Sequence, residues 1–425
     1  MRANRKERRK SRMNDEKRET NDAIDGAENI RPRLSTVDLI LSLAAILLCG
    51  CVLSGAIPTA WVGIANGLLF AYTVFAVRHV ASVIQLLLTS IAVSFLTLLP
   101  ICGAVVLALM LGTGTLAWLF MSLPRFKWAP IGALVAAYGI GFLVTSNPIT
   151  PLFALAFLPA AALMAWAHAR DLGRTSTVLH ALLGFLFTLL AAFCVILWRT
   201  YGGIGYDVLV RFVQEVKQLF VTVSLEAGKM LLASIESLTA EASVPAEALE
   251  NFRKAYEQVF TEGNLWVVAD TIMGLAPALV VVPTLIISYL SDVVMLRKYY
   301  NTEWRSRMTP AACTLTISPA ASVIYFVCLL IVLFVNKQTV FVMAVTNMCF
   351  ILLPGLCLSG VNVILHNARR ARGWPGVASI LLLVAAACCM GFSSLYFLAL
   401  WGAYAIISNA LHQKILQKLK ERDEE

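Results

Sequence analysis

Long apolar runs alternate along this chain with short loops, and the basic residues fall in every second loop. Runs such as Leu39 to Gly55 and Thr177 to Trp198 hold no Asp, Glu, Lys or Arg and are long enough to cross hydrocarbon. No water is present there to satisfy a peptide group, so runs of this length must be helices that bond internally. Clusters at Arg78, Arg125 to Lys127, Arg170 to Arg174, Arg297 to Arg307, Arg369 to Arg372 and Lys414 to Arg422 are separated by loops almost free of Lys and Arg. With the N-terminal tail in the cytoplasm, one orientation puts all six clusters on the cytoplasmic side. Composition agrees: 59% of residues are hydrophobic, 14% are charged and the mean hydropathy is +0.78, against about 25% charged in a soluble domain. The formal charge of +9 therefore belongs to loops flanking membrane spans, and no nucleic-acid partner is expected.

The expected fold is all-α, a polytopic bundle of about 12 spans. Residues 1–34 form a basic cytoplasmic tail too polar to fold alone. An N-terminal bundle over 35–198 holds about seven spans, near Leu39–Gly55, Trp61–Val77, Val80–Leu98, Gly103–Met121, Trp128–Val144, Pro151–Ala167 and Thr177–Trp198. A C-terminal bundle over 265–411 holds about five, near Leu265–Leu290, Thr314–Val335, Val340–Leu365 and two short spans within Gly376–Asn409. Residues 412–425 are a second cytoplasmic tail.

Between the bundles lies a polar insert, 199–264, expected as an extracytoplasmic helical hairpin. Leu209, Phe212, Val213, Val216, Phe220, Val223, Met230, Leu231, Ile235 and Leu238 recur at helical spacing. Ser243-Val244-Pro245 has the cap and early proline of a second helix, with Leu249, Phe252, Tyr256, Val259 and Phe260 as its apolar stripe. Glu262-Gly263-Asn264 reads as its end.

Little chemistry is visible. There is no GxxxxGK[ST] phosphate loop, no HExxH and no CxxC pair. No enzyme activity, metal or cofactor is expected. The spans carry almost no ionisable group, which argues against ion-coupled carriers. Asp270 and Asp292 lie near the ends of the eighth span. The candidate ligand residues are the polar groups within spans: Asn66, Tyr138, His180, Asn347 and Asn362. Each also fits an interhelical hydrogen bond. Arg297, Trp304 and Arg305 form a candidate cytoplasmic docking loop. Gly132 with Ala136, and Ala137 with Gly141, make small-residue faces for close helix packing on the fifth span.

The order of parts resembles the YybS-like family of bacterial membrane proteins, a domain of unknown function. The similar features are Ser243-Val244-Pro245-Ala246-Glu247-Ala248-Leu249 opening the second insert helix, then Ala276-Pro277-Ala278-Leu279 in a span that closes on Arg297. The likeness covers about residues 36 to 412. That family is distantly similar to the S subunits of energy-coupling-factor transporters, which implies a small-molecule uptake subunit working with a separate ATPase and coupling module. Two functional expectations follow: a substrate-binding or permease subunit for a small uncharged metabolite, or a membrane scaffold whose partners are cell-envelope or sporulation proteins. Either way the bilayer is the first partner, and the chain is a multi-pass protein of the bacterial plasma membrane with both termini cytoplasmic.

Overall fold

The computed structural model describes residues 36–77, 100–123, 128–170, 172–242, 246–300, 317–335, 339–370 and 393–424. Every regular element among them is helical. In chain order these are α1 (Thr36–Leu53), α2 (Val62–Val77), α3 (Pro100–Ser122), α4 (Trp128–Thr145), α5 (Leu158–Ala169), α6 (Arg174–Tyr201), α7 (Tyr206–Ala242), α8 (Ala246–Val259), α9 (Glu262–Gly274), α10 (Ala276–Tyr300), α11 (Pro319–Phe334), α12 (Val340–Arg370) and α13 (Ser393–Glu424). Short 3-10 turns at Thr59–Trp61 and Thr150–Leu155 lead into α2 and α5. Among the described residues nine helices are long and apolar enough to cross a membrane, and Thr59–Tyr72 and Pro319–Phe334 are shorter apolar helices. The expected spans at Val80–Leu98 and in the first half of Gly376–Asn409 lie outside the described residues. One of the nine is Tyr206–Ile235, in the insert.

The helices group into two compact units, residues 1–172 with 289–309, and residues 173–288 with 310–425. In the first unit α3 is central and packs against α1, α2 and α5. Its sequence Gly112-Thr113-Gly114-Thr115 explains that position, because glycine lets neighbours approach the backbone. A Cβ on Gly112 would stand 3.0 Å from the Phe157 ring, and one on Gly114 would stand 2.5 Å from the Ser291 carbonyl oxygen. The last part of α10 therefore lies directly on α3. Across the unit α1 crosses α4 at two small residues: a Cβ on Gly50 would meet Ala137, and one on Gly141 would meet Ser54. The Ala137–Gly141 face is thus the packed one. Ala136 is exposed, and a Cβ on Gly132 would meet nothing.

The second unit contains two packed groups. In one, α12 packs on α11 and α13 around Tyr325, Cys328, Cys349, Leu353, Leu356, Cys357, Ala399 and Ala403. Helices α12 and α13 run parallel, since Phe350 meets Tyr396, Cys357 meets Leu395, and Gly360 meets Leu398 and Gly402. In the other, α7 receives α8 and α9. Val221, Leu265 and Ala269 form its core, with Phe220, Leu225, Phe260 and Trp266 around them.

The insert differs from the expected two-helix form. Glu262-Gly263-Asn264 opens α9 instead of ending α8: Thr261 supplies an extended N-cap backbone, and Glu262 places a negative charge in the first turn. The helix expected over Leu265–Leu290 is broken at Leu275, and the apolar run starts at Ala276 and continues to Leu296. Pro277 has no N–H to continue a helix from α9, so the break follows from its chemistry.

Candidate functional site

The first unit contains a lysine that is 8% exposed. Lys298 lies near the end of α10, two residues beyond the apolar stretch Ala276–Leu296. Its ammonium donates to Ser42 Oγ of α1 at 2.7 Å and to the Tyr72 hydroxyl of α2. It also lies over two aromatic faces, 4.7 Å from the Tyr72 ring centre and 4.5 Å from that of Trp118 on α3. Both distances are within cation–π range. The Tyr72 hydroxyl is in turn 3.3 Å from Ser42 Oγ and 3.2 Å from Thr115 Oγ1. Four helices thus converge on one ammonium.

Helix periodicity puts these groups at one level. Ser42 lies near the start of α1, whereas Tyr72, Trp118 and Lys298 lie near the ends of α2, α3 and α10. Along α10 the buried residues Thr284, Ser288, Ser291, Asp292, Met295 and Lys298 fall within about 120° of arc at 100° per residue. The helix therefore has a polar face, and its part beyond Ser288 belongs to the first unit.

Lys298 forms no ion pair with a carboxylate among the described residues. Asp38, one helical turn before Ser42, is the acid whose field acts on it. The Trp118 indole Nε1 is buried, as is Thr113 Oγ1, and neither has a hydrogen-bond partner among the described residues. One turn and a half before Lys298 on α10, Asp292 is fully buried and its Oδ1 is 3.0 Å from Nε2 of His168, at the end of α5.

Lys298 was counted with the basic loop at 297–307, and this assignment is corrected: its side chain is inside the helical unit. Asp292 falls inside the apolar run Ala276–Leu296, past the expected end of the span at Leu290, and is buried, as is Lys298 two residues beyond that run. Their signal in the sequence is the spacing Thr284, Ser288, Asp292, which continues the helix past its expected end.

Of the five candidate ligand residues, Asn66 and Tyr138 lie in the first unit and His180, Asn347 and Asn362 in the second. Asn66 is buried on α2, and Tyr138 on α4 donates to the Pro148 carbonyl at 3.4 Å. In the second unit His180 Nδ1 lies 2.7 Å from the Ser176 carbonyl oxygen of its own helix, and Asn362 is exposed on α12. Asn347 closes the break in the chain between α9 and α10. Its Nδ2 donates to the Gly274 carbonyl at 2.8 Å and to that of Met343 at 3.0 Å, and its Oδ1 accepts from the Ala278 N–H at 2.9 Å. One side-chain amide thus stands in for the missing helical turn. Trp304 and Arg305 of the candidate docking loop lie outside the described residues, and Arg297 is described as helix backbone alone. Among the described residues no group of three or more His, Cys, Asp or Glu side chains is placed to hold a metal ion.

Comparison with protein-family models, with curated proteins and with solved structures returned no match.

Proposed function

We propose that the chain is a multi-pass membrane protein that binds a small molecule within its first helical unit, as a permease or the substrate-binding subunit of one. One observation carries this reading: α1, α2, α3 and α10 converge on a buried lysine that has no carboxylate to neutralise it among the described residues. An ionisable residue kept among membrane helices is costly and marks a ligand or ion pathway by default. In the orientation with both termini cytoplasmic, the ends of α2, α3 and α10 and the start of α1, which hold the site, are the cytoplasmic ends of those helices. About twelve spans complete the topology. The YybS-like motifs fit the same picture, with a separate ATPase and coupling module as the expected partner.

A second reading, a scaffold for cell-envelope proteins, is favoured by α7. Leu219, Val223 and Met230 of this helix are exposed, on a face away from its core residue Val221. Mild-detergent purification of the full chain, with mass spectrometry of co-purified proteins and small molecules, separates the two. A stoichiometric metabolite or a coupling module, lost in Lys298→Met, supports the permease reading. Recovery of cell-wall proteins, undiminished in Lys298→Met, overturns it in favour of the scaffold.

A further inference from the structure

The Lys298 cage has two unmet needs. An ammonium offers three N–H donors, and two of them are spent on Ser42 and Tyr72. Trp118 Nε1 is a second buried donor with no partner among the described residues, and its ring packs 4.5 Å from the same ammonium. Ser42, Tyr72 and Thr115 add hydroxyls already bonded to one another. The site is thus short of acceptor oxygens and carries one positive charge that no described carboxylate neutralises. Leaving either need unmet in a low-dielectric interior is unfavourable. A neutral donor or a cation relieves neither of them. A dianion would over-compensate the single charge. A monoanionic oxyanion supplies acceptor oxygens and matches the single charge.

We infer that the cage formed by Ser42, Tyr72, Thr115, Trp118 and Lys298 binds a monoanionic oxyanion, the carboxylate of a small organic acid or the phosphodiester of an anionic phospholipid. This inference rests on the small-molecule reading above and changes its substrate class from uncharged to acidic. Aromatic faces on two sides suit a head group joined to an apolar body.

The test uses the full chain in phosphatidylcholine nanodiscs. Binding and thermal stability are measured with octanoate, methyl octanoate and octylamine, and again in nanodiscs containing phosphatidylglycerol without added acid. Octanoate is expected to bind and stabilise the native protein, whereas the ester and the amine do neither. Trp118→Phe keeps the ring and removes the N–H, so it weakens octanoate binding about tenfold, as expected for a hydrogen bond to a charged acceptor. Lys298→Met removes the charge and weakens binding by at least a hundredfold. If Lys298→Met does not fold, Trp118→Phe carries the test. Stabilisation by phosphatidylglycerol alone, lost in Trp118→Phe, keeps the oxyanion chemistry, assigns it to a lipid and refutes the permease reading. Equal stabilisation by octanoate, ester and amine, or native-like octanoate binding in Trp118→Phe, overturns the oxyanion site. A co-purified neutral metabolite lost in Lys298→Met, with no response to octanoate or phosphatidylglycerol, overturns the acid class while leaving small-molecule binding intact.

Discussion

Replacing Asn347 by leucine tests whether one side chain holds the break between α9 and α10. Leucine keeps the volume and removes every polar atom. Two bonds to other segments are lost, to the Gly274 carbonyl and from the Ala278 N–H. The third, to Met343, lies within α12, and its loss costs little. Hydrogen bonds between membrane helices contribute about 0.6 kcal/mol each and at most about 1.7 kcal/mol. A buried donor left unsatisfied costs about 1–3 kcal/mol, and an acceptor costs a similar amount. Pro277 prevents the backbone from closing a regular turn in compensation. The sum is about 2–4 kcal/mol. Equilibrium unfolding in mixed micelles with increasing dodecyl sulfate measures it. The reasoning is refuted if Asn347→Leu unfolds within about 0.5 kcal/mol of the native chain, the ordinary range of an uninvolved position.

Further predictions concern packing and charge. Gly402→Val forces a side chain onto the Leu356 carbonyl and Gly360. It should destabilise by about 3 kcal/mol or more, whereas Gly63→Ala, where a Cβ meets nothing, should be neutral by thermal melting. Asp292→Asn keeps an acceptor for His168 and should be milder than Asp292→Leu, which removes a buried hydrogen bond and costs about 1–3 kcal/mol. Asp270→Ala removes the 2.6 Å pair with Lys217, but Asp270 is 61% exposed, so the cost should stay below about 1 kcal/mol and vanish at high salt.

The helices were legible in the sequence because hydrophobic run length is a direct physical requirement of the bilayer. Packing was legible only in part. Both small-residue faces of α4 looked alike, and only Ala137–Gly141 meets a neighbour, since the spacing says nothing about where the partner lies. Asn347 looked like a ligand residue because its true partners lie 69 and 73 residues away, at a break that no local pattern revealed. Glu262-Gly263-Asn264 misled because glycine and asparagine occur at both ends of helices. Lys298 was missed because a charge count assigns lysine by its distance from an apolar run, whereas its helical phase turns it inward.

The contact between α12 and α13 has a mechanical consequence. At Gly360 and Gly402 the two helices touch backbone to backbone, with no side chain projecting from either glycine. Nothing interlocks at that point, so it can serve as a pivot. Scissoring of the two helices about it is opposed by pairs to one side, Phe350 with Tyr396 and Cys357 with Leu395. The lever arms are long, because α12 continues to Arg370 and α13 to Glu424. A few degrees at the glycines would move the end of α13 by about 2 Å and the end of α12 by about 1 Å at 1.5 Å of rise per residue.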